Sequence, residues 1–95
     1  MKTHAVSVHC DVICEWKNAP PRYRLFVNNE LFMERTFIWT DHYLEEVIPI
    51  EAPPGNYQIR YELLGSPDDS LRIKNARVHS GPGVLHKNLR LEIQS

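Results

Sequence analysis

Apolar and polar residues alternate along most of the chain, and helical periodicity is scarce. Strict alternation is the pattern of a strand with one buried face. It is clearest in AVSVHCDVICEW, where every second residue from Val6 to Trp16 is apolar and most residues between them are polar. In NYQIRYELL the apolar phase holds Tyr57, Ile59, Tyr61 and Leu63. Both segments predict strands that cover one side of a core.

Turn signals separate these strands from further short apolar segments. Two prolines stand together in NAPPR, and proline occurs with glycine in APPG, GSPDDS and SGPG. Such clusters mark turns. YLEEVIPI fits either a strand or the start of a helical turn, and Pro49 would place a strand at a sheet edge or at a bulge. In SLRIKNARVH the apolar phase changes, which predicts a β-bulge near Asn75.

About seven short strands separated by turns predict an all-β fold. The expected architecture is one antiparallel β-sandwich, immunoglobulin-like or jelly-roll-like, that spans residues 1–95 as a single domain. A barrel is the alternative.

The stretch RYRLFVNNELFMERTFIW reads as a hairpin whose turn length decides which residues are buried. A two-residue turn at Asn28 and Asn29 pairs Val27 with Glu30 and places several charges on each face, which is costly to bury. A three-residue turn of Val27, Asn28 and Asn29 separates the faces. It places the following residues inward: Tyr23, Leu25, Leu31, Met33, Phe37 and Trp39, with Arg35 as the one charged intruder. Burial therefore favours the three-residue turn.

That hairpin leaves Phe26, Phe32 and Ile38 on the outer face. Neighbouring exposed apolar side chains often mark an interface. One interpretation is that another strand or loop covers them, and another is a protein–protein contact, including self-association. A ligand platform is the third.

Charge and hydropathy exclude several classes of partner. The formal net charge is -1, so no strong field favours nucleic acid or an anionic membrane surface. No apolar run is long enough to cross a membrane, and MKTHAVSVHC lacks the apolar core of a signal peptide. The expected compartment is a cytoplasm or a particle assembled there. Cys10 and Cys14 are expected to be reduced, because four residue steps along a strand separate their Cα atoms by about 13 Å, beyond the roughly 7 Å that a disulfide allows. A zinc site using Cys10, Cys14 and a histidine is the alternative.

Candidate chemistry is sparse, and no catalytic spacing is readable, so the chain is not expected to be an enzyme. The segment WTDHY places two aromatic residues, an acid and an imidazole together, and such a set suits a sugar ring. Its ligand candidates are Trp39, Asp41, His42 and Tyr43. The competing interpretation is that Trp39 ends a core strand and Asp41 caps a turn. No metal site and no cofactor is predicted, since Asp68 and Asp69 in SPDDS fit a solvated turn better than a calcium loop.

Two segments, RYRLFVNNELFMERTFIW and YLEEVIPIEAPPGNYQIRYEL, resemble small, largely uncharacterised proteins of marine cyanobacterial tailed phages of the T4-like type. The resemblance covers Arg22 to Leu64 and rests on the V-N-N-E-L-F-x-E-R-T hairpin and the Y-L-E-E to A-P-P-G-x-Y run. It implies a virion or accessory component found in the phage particle or the host cytoplasm, and it carries over no catalytic residue. V-N-N-E and P-P-G-N-Y are also similar to turns of carbohydrate-binding β-sandwich modules.

The combined expectation is a non-enzymatic binding or structural protein that acts through protein contacts, either with a partner or with itself. Carbohydrate binding by the aromatic segment is the alternative function.

Overall fold

The computed structural model describes residues 2–39 and 41–94 and contains eight strands in two sheets. The strands are β1 (His4–Glu15), β2 (Arg22–Val27), β3 (Glu30–Thr36), β4 (Tyr43–Ala52), β5 (Gly55–Leu64), β6 (Ser70–Ser80), β7 (Gly83–His86) and β8 (Arg90–Ile93). A three-stranded sheet has the order β4-β1-β6, and a five-stranded sheet has the order β3-β2-β5-β8-β7. All pairs are antiparallel. The all-β sandwich prediction is confirmed.

The long first strand supplies much of the core, as its alternation predicts. Its inward residues are almost fully buried: Val6, Val8, Cys10, Val12 and Cys14. They face apolar side chains of the five-stranded sheet, which include Tyr23, Leu25, Ile59, Leu91 and Ile93. Sheets that pack face to face interdigitate such inward side chains, while the outer faces stay polar. Alternate residues of β1 therefore form one layer of the core, as the sequence pattern predicts.

The C-terminal segment forms two strands, β7 and β8, which brings the total to eight where the sequence predicts about seven. A short 3-10 turn, Lys87–Leu89, separates β7 from β8. Asn88 and Leu89 both have positive φ, at 62° and 60°, and such left-handed residues end a strand. The two halves then pair as a hairpin in which Leu85 lies opposite Leu91, so the apolar phase is kept on both arms.

Residues 43–52 form a strand, so the helical alternative for YLEEVIPI is wrong. The predicted edge position is confirmed, because β4 lies at one side of its sheet. The carbonyl of His42 accepts a hydrogen bond from the Cys14 N–H. Alternation then turns the nitrogen of Pro49 to the free side, where a missing N–H leaves no ladder bond unmade.

The bulge predicted near Asn75 is confirmed. The register of β6 against β1 shifts between the pairs His9–Arg77 and Asp11–Lys74. Asn75 has a φ of 53°, and asparagine accepts this left-handed conformation more readily than most residues.

The predicted three-residue turn of the β2–β3 hairpin is wrong. Val27 pairs with Glu30, and Asn28 and Asn29 form a two-residue turn with φ values of 51° and 66°. Two left-handed central residues are the requirement of a type I′ turn, which matches the twist of the flanking strands. The side chain of Asn28 also accepts the N–H of Gln58 at 2.8 Å, which ties the turn to β5.

A β-bulge restores most of the predicted burial despite the shorter turn. Phe26 pairs with Leu31, but the next pair is Leu25 with Met33, so Phe32 is the extra residue. An extra residue changes the phase of the strand that contains it. Beyond the bulge, Met33 and Arg35 lie opposite Leu25 and Tyr23. The predicted inner face is thus kept with one exception, Leu31, which is 56% exposed.

Candidate interaction surface

The exposed edge of β3 carries most of the predicted interface residues. Phe32 is 40% exposed and lies within β3, and Ile38 is 67% exposed and lies two residues beyond its end. Phe26 is different: it is half-buried, and the guanidinium of Arg60 lies 4.3 Å above its ring, a cation–π contact. Leu31, which the turn prediction placed inside, joins the exposed set. We call Leu31, Phe32 and Ile38 the β3 surface.

The sheet edges differ in how well they are protected against pairing with another strand. Proteins blunt edges with prolines, bulges and short strands. β4 carries Pro49, β6 has two register shifts, and β7 has four residues. β3 has seven residues, no proline and one register shift, at Phe32. Among the described residues, β3 is therefore an edge strand with neither a proline nor a short length to protect it, and it has one register shift where the longer β6 has two.

A cleft of about 400 Å³ opens beside the first half of β3. One wall comes from the hairpin, with Val27, Leu31 and Phe32, and the other comes from the end of β4, with Ile50 and Ala52. The acids at this cleft are Glu30 and Glu51, and none of the described residues that line it is basic. The cleft is thus an apolar slot with an acidic rim.

An ion pair between β3 and β4, whose carboxylate is buried, lies at the opposite end of β3 from the cleft. Glu46 of β4 is 2% exposed, and its Oε2 lies 3.1 Å from Nη2 of Arg35 on β3. Its Oε1 accepts hydrogen bonds from Tyr23 at 2.9 Å and from Tyr61 at 3.3 Å. The guanidinium of Arg35 also lies 5.6 Å from the ring centroid of Trp39. These contacts join the two sheets at the point where their edges face each other.

The chemistry of this network is that of a structural cluster. Burial, followed by the Glu46 charge, raises the pKa of Tyr23 above its usual 10.0, so the phenol remains a donor. Burial also raises the pKa of Tyr61 and of Cys10, whose Sγ lies 3.3 Å from the Tyr61 hydroxyl. Nucleophilic catalysis by a thiol requires a lowered pKa. The network holds donors and acceptors in place and contains no activated nucleophile.

Both thiols are expected to be unreactive in the folded protein. Cys10 and Cys14 are unpaired and buried, as the sequence predicts, and burial raises the pKa of Cys14 to about 11. At about pH 8 only roughly one Cys14 in a thousand is then a thiolate. We expect Ellman's reagent to label native protein at least about 100-fold more slowly than urea-unfolded protein, in which both thiols should titrate. Rapid labelling of the native chain would show that β1 is not packed as described.

The aromatic segment predicted as a sugar platform sends its side chains to different places. Trp39 packs edge-on against Phe37, with centroids 5.2 Å apart, and is half-buried. His42 has a positive φ and its ring contacts the Cys14 carbonyl at 2.9 Å. Asp41 accepts the N–H of Tyr43 at 3.4 Å, a turn contact. Thr40, within the same segment, lies outside the described residues.

Tyr43 belongs to a polar cluster on the outer face of the three-stranded sheet, which the sequence patterns did not reveal. Its hydroxyl donates to Asp11 at 2.9 Å, and the Asn75 side chain donates to the other Asp11 oxygen at 2.7 Å. These two hydrogen bonds lower the pKa of Asp11. Arg77 pairs with Glu45 at 2.8 Å. Because the polar groups of this cluster already hydrogen-bond or pair with one another, we do not assign it a ligand.

Comparison with protein-family models, curated proteins and solved structures finds no match for this chain. Possible metal ligands are dispersed: within residues 2–39 and 41–94, no three His, Cys, Asp or Glu side chains are placed to hold a metal ion. Two of the histidines, His9 and His79, stack on each other with ring centroids 4.1 Å apart. In the same part of the chain, no helix has the length and apolar character needed to cross a membrane.

Proposed function

We propose that this protein is a non-enzymatic β-sandwich that acts through protein–protein contacts at the β3 surface. The observation that carries the proposal is the free edge of β3 together with the exposure of Leu31, Phe32 and Ile38. Large apolar side chains beside free backbone donors and acceptors favour contact with another protein over water. The resemblance of Arg22 to Leu64 to phage proteins supports a role as a virion or accessory component.

The buried network supports a surface that stays rigid when it binds. Arg35 is held to Glu46 across the sheets, and the turn at Asn28 is held to Gln58. Both ends of β3 are therefore anchored to neighbouring elements. A preformed edge loses little conformational entropy on association, which favours affinity.

Replacing Phe32 with glutamate tests this role. We expect wild-type protein, alone or co-expressed with the products of flanking genes, to form complexes that Phe32→Glu abolishes, because a charge replaces an apolar contact. Size-exclusion chromatography with light scattering measures the complexes. Val84→Glu is the matched control, since Val84 is 41% exposed and lies on β7, the opposite edge of the same sheet.

The comparison of the two variants decides the outcome. Complexes lost in Phe32→Glu and kept in Val84→Glu support the proposal. A wild-type chain that stays monomeric at high concentration and binds none of the co-expressed products would contradict it, as would equal sensitivity to both substitutions. Circular dichroism confirms that each variant is folded.

A further inference from the structure

The side of the sandwich that holds β3 offers two kinds of recognition along one strand. Phe37 donates its N–H to the Pro21 carbonyl, so alternation turns the backbone groups of Glu34 and Thr36 away from β2. These groups have no strand beside them in the described chain. Beside the first half of the same strand lies the apolar cleft with Ile50 and Ala52 on its far wall.

A free strand edge and an adjacent apolar slot select an extended occupant. Backbone hydrogen bonds along an edge bind an added strand, while pockets beside it select alternate side chains. A helix would satisfy its own backbone groups and leave those of β3 unpaired. The cleft volume of about 400 Å³ falls within the range of small binding pockets, which is ample for one large apolar side chain.

The acidic rim of the cleft favours basic residues beside the apolar side chain that enters it. Glu30 and Glu51 are both exposed, and no ion pair is found for either among the described residues. Glu51 accepts one hydrogen bond, from Thr3 at 2.8 Å. Lysine or arginine beside the inserted apolar residue would pair with these carboxylates. A second copy presenting this same surface would instead bring like charges together.

We propose that β3 and its cleft bind an extended segment of another protein in which apolar residues alternate with lysine or arginine. The segment adds to the five-stranded sheet beside β3 and inserts an apolar side chain between the hairpin and the end of β4. This inference rests on the proposed function and specifies the class of partner.

A displayed library of random twelve-residue peptides, selected on the folded full chain, tests the inference. We expect enriched sequences to contain a large apolar residue flanked by lysine or arginine. Leu31→Ala combined with Phe32→Ala should lower the affinity for a resynthesised peptide by more than tenfold. Enriched sequences without basic residues, or none that bind above background, would overturn the inference.

Two further arms separate strand addition from simple adhesion. Glu30→Gln with Glu51→Gln should weaken binding roughly fivefold, as expected for two exposed ion pairs, while Glu15→Gln at the exposed end of β1 should leave it unchanged. Peptides N-methylated at alternate amides should divide into one register that binds and one that loses binding, because only alternate N–H groups face β3.

The same data distinguish failure of the inference from failure of the proposed function. If Leu31→Ala with Phe32→Ala abolishes peptide binding, but N-methylation or the glutamate substitutions do not change it, strand addition is ruled out and a protein contact at the β3 surface is kept. If the Leu31 and Phe32 substitutions do not change peptide binding, both the inference and the proposed function are ruled out.

Discussion

Glu46→Leu is expected to lower the free energy of unfolding by about 2–4 kcal/mol. The substitution removes the carboxylate that pairs with Arg35 and accepts the hydroxyl groups of Tyr23 and Tyr61. The Tyr23 hydroxyl and part of the guanidinium then stay inside the protein without a partner, and the Tyr61 hydroxyl keeps only its contact with the Cys10 thiol at 3.3 Å. Arg35 is 37% exposed on its side chain and recovers some hydration, which limits the loss. Urea denaturation monitored by tryptophan fluorescence measures it.

Variants at the neighbouring residue and at the partner sharpen this test. Glu45→Gln removes an exposed ion pair with Arg77 and should cost less than about 1 kcal/mol. Arg35→Met with Glu46→Leu replaces both charges, so the double variant should lose less stability than the sum of the single ones. Equal effects of Glu45→Gln and Glu46→Leu, or strict additivity at Arg35 and Glu46, would show that Glu46 and Arg35 do not stabilise the fold as a pair.

Phe37→Ala is expected to destabilise the fold by about 3–5 kcal/mol. Phe37 is fully buried and its ring packs against Trp16 and Trp39 at centroid distances of 5.7 and 5.2 Å. Truncation opens a cavity where β3 leaves its sheet. Thermal or urea unfolding measures the loss.

Ile38→Ala is the matched control for Phe37→Ala, because the two residues are adjacent and Ile38 is 67% exposed. Its effect on the isolated chain should stay within about 0.5 kcal/mol. A loss from Ile38→Ala as large as that from Phe37→Ala would contradict the burial described. A loss that grows with protein concentration would instead place Ile38 in a contact between copies.

The sequence indicates that Arg35 and Glu46 are buried charges, but it does not indicate that they pair with each other. Arg35 stands out as a charge in the apolar phase of its strand, and Glu46 occupies the phase of Leu44, Ile48 and Ile50. Each is a sign that something compensates a buried charge. Nothing local shows that the two compensate each other, because they lie on strands of different sheets.

The interface candidates show the same limit. Alternation marks Phe32 and Ile38 as outward residues, and both are exposed. Phe26 belongs to the same predicted face, but Arg60 from the neighbouring strand covers its ring. Leu31 becomes exposed because the turn has two residues instead of three. Cover and exposure depend on the neighbouring strand and on the turn, and the pattern of a single strand records neither.

The sequence by itself predicted most of the strands, the buried face of β1 and the bulge at Asn75, and it limited Pro49 to a sheet edge or a bulge. Each follows from a local rule: the period of two, a phase change, or a missing N–H. Tertiary structure alone decided the strand order, the free edge of β3, the cleft beside it and the pairing of Glu46 with Arg35. These features depend on which strands become neighbours, and that choice is made by the packing of the whole core.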